Sequence, residues 1–170
     1  MPLNYIDLFA GCGGLSLGLY NAGWHGLFAV EKNPDAFLTL STNLIEKKNH
    51  YFWPCWLSKS SLDIYDVIKT HSEDLKKLRG QVSLVVGGPP CQGFSMAGRR
   101  KQDDARNELF NAYLDFIRLV QPDTLLFENV HGFTVAFSDE IGNKGDAYSE
   151  IITEALKKEG YATHSKLIDM

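Results

Sequence analysis

The chain has 170 residues, 44% of them hydrophobic, which is enough for one compact domain with a buried core. It lacks both a run of about 18 uncharged apolar residues and a secretory signal pattern, so we expect no membrane span and no export. The three cysteines Cys12, Cys55 and Cys91 have no paired spacing, which argues against a disulfide framework or a metal site and favours a reduced, cytoplasmic setting. A net charge of −4 argues mildly against nucleic-acid binding, because phosphate contacts favour basic surfaces.

The first half of the chain alternates between strand-like and helix-like patterns. Residues 5–9 form a mostly apolar run that predicts a strand, and residues 27–30 predict a second strand. A helix ending at Gly23 is predicted between them by apolar residues at helical spacing, namely Leu15, Leu19 and Ala22. Asn33 and Pro34 suit the cap and the first turn of another helix. The apolar stripe of that second helix consists of Phe37, Leu40 and Leu44.

The middle of the chain contains an irregular segment between two further strands. Residues 46–61 show no regular period, and we expect Trp53 and Trp56 to lie in a loop that packs over the sheet edge. Residues 82–86 are rich in β-branched side chains and predict a strand that stops at a glycine and proline cluster. Residues 124–127 predict the next strand.

Two more helices are predicted in the second half. One ends before Pro122, and its apolar stripe consists of Leu109, Tyr113, Phe116 and Val120. The other covers residues 146–159 and ends at Gly160. Residues 161–168 are then predicted to begin a further strand.

Alternating strands and helices predict an α/β fold, with a mostly parallel sheet covered by helices on both faces. In such sheets, ligands bind beyond the carboxyl ends of the strands. Polar and glycine-rich clusters follow four of the predicted strands. These clusters are residues 10–14, Glu31, residues 87–95 and residues 128–129. The fold is therefore expected to bring four separate segments to one rim of the sheet.

The first cluster is typical of a cofactor-binding loop. Glycines within residues 7–14 permit a tight turn, and Glu31 after the next strand can accept hydrogen bonds from two ribose hydroxyls. This pairing suits any adenosine-containing cofactor, including a nicotinamide dinucleotide, and a plain glycine-rich turn remains an alternative. The spacing departs from Gly-x-Gly-x-x-Gly at Ser16.

The second cluster carries a candidate nucleophile. Pro89 and Pro90 fix the backbone directly before Cys91, and a thiolate is the best side-chain nucleophile near neutral pH. Glu128 ends the next predicted strand and could act as an acid or a hydrogen-bond partner beside the cysteine. The alternatives are a small buried cysteine and a solvated glutamate at a strand end.

Together these residues resemble the cytosine-C5 DNA methyltransferase family, in order and over nearly the whole chain. Its nucleophile motif is similar to Pro-Pro-Cys-Gln at residues 89–92, and its base-engaging motif is similar to Glu-Asn-Val at residues 128–130. The resemblance implies a Rossmann-like, S-adenosylmethionine-dependent methyltransferase domain. It implies Cys91 and Glu128 as the catalytic residues. The implied cofactor-binding residues are Asp7, Leu8, Phe9, Ala10, Gly11, Gly13, Gly14, Glu31, Asp63, Pro89 and Leu109.

The resemblance also implies a substrate and a reaction. The substrate is a cytosine flipped out of double-stranded DNA, and its C5 is methylated through a covalent cysteine adduct. The residues implied to contact the substrate are Gln92, Ser95, Arg99 and Asn129. A basic cluster lies in the same region and consists of Arg99, Arg100, Lys101 and Arg106.

Family members continue well past this point, with a later arginine motif, a target-recognition region and a final helix. Residues 1–170 are therefore expected to form a partial cofactor-binding and catalytic domain with little activity alone, either as a piece of a longer protein or as one subunit of a split enzyme. A companion restriction enzyme would be consistent with such a protein. Three alternatives are a tRNA methyltransferase of the same family, a non-catalytic S-adenosylmethionine-binding regulatory subunit, and a nicotinamide-dependent oxidoreductase.

Overall fold

The computed structural model describes residues 3–89, 106–129, 136–138 and 144–168. The chain divides into two compact units. The first lies within Met1–Pro89 and Leu109–Glu128, and the second within Pro90–Glu108 and Asn129–Met170. None of the helices in these described segments is long and apolar enough to cross a membrane.

The first unit contains a four-stranded parallel sheet in the order β2-β1-β3-β4. Its strands are β1 (Asn4–Leu8), β2 (His25–Val30), β3 (Leu84–Gly87) and β4 (Thr124–Phe127). The helices along the same part of the chain are α1 (Gly14–Asn21), α2 (Pro34–Leu40), α3 (Ile64–Lys76) and α4 (Arg106–Val120). A π-helical segment, Ser41–Lys47, continues directly from α2.

Local signals explain where most of these elements begin and end. Asn33 caps α2, since its side chain accepts hydrogen bonds from the backbone N–H groups of Asp35 and Ala36, and Pro34 occupies the first turn. Gly23 follows α1 with a positive φ of 83°, a conformation that glycine adopts without strain. Four predicted strands are confirmed to within a few residues, namely those at residues 5–9, 27–30, 82–86 and 124–127. The helices predicted to end near Gly23, before Pro122 and near Gly160 are confirmed as well.

Helices cover both faces of the sheet, as predicted. On one face Tyr5, Ala29 and Val86 pack in a buried cluster with Leu40 and Leu44 of the α2 segment. Successive strand residues point to opposite faces, so Phe28 points away from this cluster. Its ring packs edge-on against Phe116 of α4, with the ring centroids 6.3 Å apart.

The segment between α2 and α3 has the predicted loop character. Trp53 and Trp56 lie in irregular chain and pack edge-on against Phe28 of β2. Tyr51 adds one isolated parallel bridge to Gly26 on the outer edge of β2. The expectation of a loop packed over the sheet edge is therefore confirmed.

Two parts of the prediction for these elements were incomplete or wrong. Helix α3 was not predicted, although Asp63 is a capping residue and Ile64 and Val67 supply a buried helical pair. The strand predicted within residues 161–168 is wrong, because no strand is present in this described segment and most of it is exposed. A strand requires a hydrogen-bonded neighbour, which an apolar pattern alone does not provide.

The second unit contains a short antiparallel pair, β5 (Ala136–Ser138) and β6 (Lys144–Ala147), followed by α5 (Tyr148–Lys158). The pair was not predicted. At the start of α5, the backbone N–H of Ala147 donates to Glu150 Oε2 at 3.1 Å, which satisfies one of the free donors of the helix terminus. Ile152 and Leu156 form the buried side of this helix.

Candidate active site

The carboxyl ends of the four parallel strands lie at the same level of the sheet. Leu8 is in register with both Val30 and Gly87, and Gly87 is in register with Phe127. The residues that follow these strand ends are therefore brought to one rim, as predicted. The neighbours of β1 are β2 on one side and β3 on the other, so the direction of strand addition reverses at β1. This is a topological switch point, where open α/β sheets bind their ligands.

The glycine-rich loop after β1 has an unusual backbone conformation, with three residues in the left-handed region. Phe9, Gly11 and Gly13 all have positive φ, at 58°, 55° and 88°. The backbone N–H of Ala10 donates to the carbonyl of Val30 at 3.1 Å, which fastens the loop to the end of β2. A β-carbon on Gly13 would lie 2.9 Å from Leu44 Cδ1, so a side chain at this position would be strained in its backbone and crowded against Leu44.

Glu31 lies directly beside this loop. Its Oε2 accepts a hydrogen bond from the backbone N–H of Gly11 at 2.7 Å, and its Oε1 accepts one from Asn33 at 2.7 Å. The first bond attaches the loop after β1 to Glu31, and the second fixes the same carboxylate to the residues after β2. Glu31 therefore links the ends of these two strands. The residue predicted to bind ribose is therefore located next to the predicted cofactor loop.

Asp63 is brought to the same rim by the backbone. The N–H of Leu62 donates to the carbonyl of Glu31 at 2.7 Å, and the Asp63 side chain then caps α3 by accepting from Tyr65 N at 3.0 Å. Lys32 Nζ lies 2.7 Å from Asp63 Oδ2. Partial burial raises the pKa of Asp63, but the hydrogen bonds from Lys32 and from the Tyr65 backbone outweigh it, and the pKa is lowered overall. Asp63 is thus held as a charged acceptor.

Gly88 and Glu128 bring the ends of β3 and β4 into close contact. Glu128 N donates to the carbonyl of Gly87 at 3.1 Å, which continues the sheet ladder by one residue. A β-carbon on Gly88 would lie 2.9 Å from Glu128 Oε2. Pro89 is buried immediately after Gly88, whereas the Glu128 side chain is exposed. The predicted catalytic carboxylate therefore lies beside the end of β3, next to Gly88.

Asp7 and Leu8 differ from the other predicted cofactor residues, because both are fully buried beneath the loop. The Asp7 carboxylate accepts a hydrogen bond from Ser16 Oγ, whose oxygen also lies 2.6 Å from the Tyr51 hydroxyl. Burial raises the pKa of Asp7 to about 7; the Ser16 hydrogen bond opposes this rise, and the charge of Glu31 adds to it. Asp7 therefore supports the loop from below.

The remaining predicted residues are only partly described. Cys91, Gln92, Ser95 and Arg99 lie outside the described residues, as do Arg100 and Lys101. Leu109 is half-buried in the first turns of α4, and Asn129 is half-buried at the start of the second unit. No group of acidic, histidine or cysteine side chains suited to a metal ion occurs in the described segments.

Sequence reasoning missed the roles of three residues, one at this rim and two beneath the glycine-rich loop. Ser16 was noted only as a break in the glycine spacing, yet it is the one buried residue of α1. Lys32 and Tyr51 were not singled out. A polar residue on the buried face of a helix next to a glycine loop is the signal that could have identified Ser16.

Two solved structures that match this fold are methyltransferases. An E. coli prophage-encoded protein, described as a DNA modification methyltransferase, matches 91% of this chain and 37% of its own chain, with a TM-score of 0.62 and 32% identity. The Dnmt2 methyltransferase of S. pombe matches 93% of this chain with a TM-score of 0.54, and at 19% identity it supports the fold alone. The sheet and its rim thus define a Rossmann-like methyltransferase domain, as predicted.

The sequence comparisons identify the family. The family model described as C-5 cytosine-specific DNA methylase matches residues 3–170, and the chain belongs to this family. It is 43% identical over 127 residues to the Type II methyltransferase M.AgeI of Thalassovita gelatinovora, covering 75% of this chain and 28% of that relative. It is 36% identical over 179 residues to M1.HphI of Haemophilus parahaemolyticus, covering 99% of this chain and 41% of that relative. The chain therefore spans well under half the length of these curated relatives.

Proposed function

We propose that this protein transfers a methyl group from S-adenosylmethionine to C5 of cytosine in double-stranded DNA. The observation that carries the proposal is the meeting of four strand ends at one rim, with the glycine loop and Glu31 on one side of the switch point and Gly88 and Glu128 on the other. Membership of the cytosine-specific methylase family supports this choice of reaction over other uses of an adenosine cofactor.

The residues at the rim fit S-adenosylmethionine. Within the loop Phe9–Gly13, no atom lies within 4 Å of where a β-carbon on Gly11 would stand, so a ligand can approach the backbone closely there. Glu31 presents a carboxylate to the ribose hydroxyls, and the charged acceptor Asp63 lies at the same rim for the adenine amino group. When bound, the cofactor supplies an electrophilic methyl group and leaves as a neutral thioether, S-adenosylhomocysteine.

Cys91 and Glu128 supply the chemistry on the base. Cytosine C5 is too weak a nucleophile to take the methyl group unaided. The Cys91 thiolate forms a bond to C6, and the C5=C6 electrons move toward N3, where Glu128 donates a proton or a hydrogen bond. C5 then accepts the methyl group. A solvent water takes the C5 proton, the electrons of the C5–H bond re-form the C5=C6 bond and the Cys91 thiolate leaves. Any proton that Glu128 gave to N3 returns to Glu128.

The geometry of Glu128 sets a condition on this reaction. Its side chain is exposed in the described part of the chain, whereas an acid that serves N3 works best when water is excluded. The flipped base itself, or residues outside the described ranges, must therefore provide the shielding. We propose that Gln92, Ser95, Arg99 and Asn129 hold the flipped nucleotide there.

The proposed partners follow from the family. Double-stranded DNA is the substrate, and the target-recognition surface belongs to a further segment or a second subunit. The name Type II methyltransferase, which the relatives carry, supports a role in DNA modification alongside a restriction enzyme. A cytoplasmic location fits this role.

Covalent trapping tests the proposal. The complete gene product is mixed with S-adenosylmethionine and DNA containing 5-fluorocytosine, which has no C5 proton to lose, so the adduct cannot resolve. We expect a protein–DNA band that resists denaturation and is absent for Cys91→Ala, with Cys55→Ala as the matched control because Cys55 is an exposed cysteine far from the motif in sequence. If no adduct forms on any DNA, the proposal is contradicted, and RNA substrates are tested next.

A further inference from the structure

A buried hydrogen-bonded group lies directly beneath the glycine loop and joins three segments of the chain. It consists of Asp7 of β1, Ser16 of α1, and Tyr51 at the outer edge of β2. Asp7 and Ser16 are fully buried, and Tyr51 is 5% exposed. Ser16 is the centre of the group, since its hydroxyl oxygen contacts both partners and its backbone carbonyl accepts from the Tyr5 hydroxyl at 3.3 Å.

When Asp7 is ionised, above its pKa of about 7, counting protons fixes the direction of the hydrogen bonds. Ser16 has a single hydroxyl hydrogen, which it donates to Asp7 Oδ2. The Tyr51 hydroxyl, 2.6 Å from the same oxygen, must therefore donate to Ser16. The chain of donors thus runs from Tyr51 through Ser16 to the Asp7 carboxylate. The other oxygen, Asp7 Oδ1, has no partner among the described residues, so Ser16 is the side chain that holds this carboxylate.

The loop above this group needs an anchor at each end. Phe9, Gly11 and Gly13 are all in the left-handed region, a backbone that is retained only where the surrounding structure determines it. Asp7 precedes the loop by two residues and Ser16 follows it by three. The bond between them therefore closes the loop at its base. Gly13, the N-cap of α1, has no side chain to cap the helix, so Ser16 is the polar side chain that attaches the start of α1 to the sheet.

We propose that Ser16, held by Tyr51, is a positioning residue that fixes the Phe9–Gly13 loop for S-adenosylmethionine through its bond to Asp7. It does not touch the cofactor, because it is fully buried. This inference rests on the proposed function for its ligand. The anchoring of the loop itself can be measured without any ligand.

The first measurement is S-adenosylmethionine affinity of the complete gene product by calorimetry. Ser16→Ala is expected to raise the Kd about tenfold, the effect of losing one hydrogen bond to a charged group. Tyr51→Phe, which leaves Ser16 bonded to Asp7, is expected to raise it about threefold. At saturating cofactor, kcat should stay within about twofold of the parent, because neither residue contacts the reacting atoms.

Two control variants remove hydroxyl groups that do not belong to the group. Ser41→Ala removes a hydroxyl that lies near Glu46 in the π-helical segment. Tyr20→Phe removes a hydroxyl from α1 itself while keeping the ring that packs on His50. Both are expected to leave the Kd unchanged within about twofold.

Hydrogen exchange of the ligand-free protein separates a positioning role from a general loss of stability. In Ser16→Ala, the amides of residues 9–14 are expected to exchange about tenfold faster, while those of β3 (Leu84–Gly87) keep the parent rate. Equal acceleration in both segments, or no acceleration in either, overturns the inference. If residues 9–14 exchange faster in Ser16→Ala but the parent binds no S-adenosylmethionine, the proposed function is rejected and the loop anchor remains established.

Discussion

Gly88 and Glu128 follow adjacent parallel strands and lie so close together that a β-carbon on Gly88 would stand 2.9 Å from both the carbonyl oxygen and Oε2 of Glu128. Real β-carbons essentially never lie this close to another heavy atom, so the backbone at the end of β4 as well as the Glu128 carboxylate must shift to admit one. The absence of a side chain at residue 88 therefore determines where the proposed catalytic carboxylate lies.

Gly88→Ala is expected to lower the rate of adduct formation with 5-fluorocytosine DNA by at least about tenfold, because it displaces Glu128 from its position beside the end of β3. Gly18→Ala is the matched control, since Gly18 lies in α1 with open space around its α-carbon. If the effect acts through the carboxylate, Gly88→Ala should cost much less in a Glu128→Ala background. The same loss in both backgrounds would contradict this explanation.

The buried carboxyl of Asp7 predicts an unusual dependence of stability on pH. Burial raises the pKa of Asp7 from 3.8 to about 7, so between these values the folded protein holds a proton that the unfolded chain has released. The Asp7 contribution to stability therefore falls as the pH rises through this window and is constant above it. The groups around it are Ser16, Tyr5, Tyr51, Glu31 and, through Tyr5, His50.

The titration of His50 changes the stability of the protein with pH in the opposite direction. Burial lowers the pKa of His50 from 6.5 to about 4, so in this window the unfolded chain binds a proton that the folded protein does not, and the His50 contribution rises with pH. The two contributions oppose each other in the parent.

Asp7→Asn removes the Asp7 contribution. The free energy of unfolding of the variant minus that of the parent should therefore increase from about pH 4.5 to 7, by at most about 1.4 kcal/mol per pH unit. Urea unfolding at several pH values measures this, and a constant difference would contradict it.

Glu31→Gln is expected to weaken S-adenosylmethionine binding by at least about tenfold. An amide offers one acceptor oxygen in place of two, so it cannot accept from both Gly11 N and Asn33 N, and it also loses the charge. Calorimetry measures the affinity, and Glu46→Gln, an exposed glutamate of the π-helical segment, is the control. Unchanged affinity in Glu31→Gln would remove Glu31 from the cofactor site.

Asn33→Ala tests the helix start that follows Glu31. The side chain of Asn33 accepts from two backbone N–H groups at 2.9 and 3.0 Å, so its loss is expected to cost about 1 kcal/mol of stability. Asn43→Ala changes an asparagine within the following π-helical segment, where we expect a change within about 0.5 kcal/mol. Equal effects of the two substitutions on urea unfolding would show that capping is not the cause.

The sequence by itself determined the elements whose signals are local. Asn33 and Pro34 define the start of α2, and the β-branched run before Gly87 defines β3, because capping geometry and strand propensity depend on neighbouring residues. The alternation of such elements also determined the parallel sheet and the rim on which Glu31 and Glu128 lie.

Only the tertiary structure decided which side chains meet at that rim. Ser16 reaches Asp7 and Tyr51, which are 9 and 35 residues away in the chain, and Gly88 meets Glu128 because β3 pairs with β4 in one particular register. The apolar pattern of residues 161–168 forms no strand, while the short β5–β6 pair forms without a clear pattern. Each outcome depends on which other segment pairs or packs with the residue, and a periodic pattern carries no information about where that partner lies.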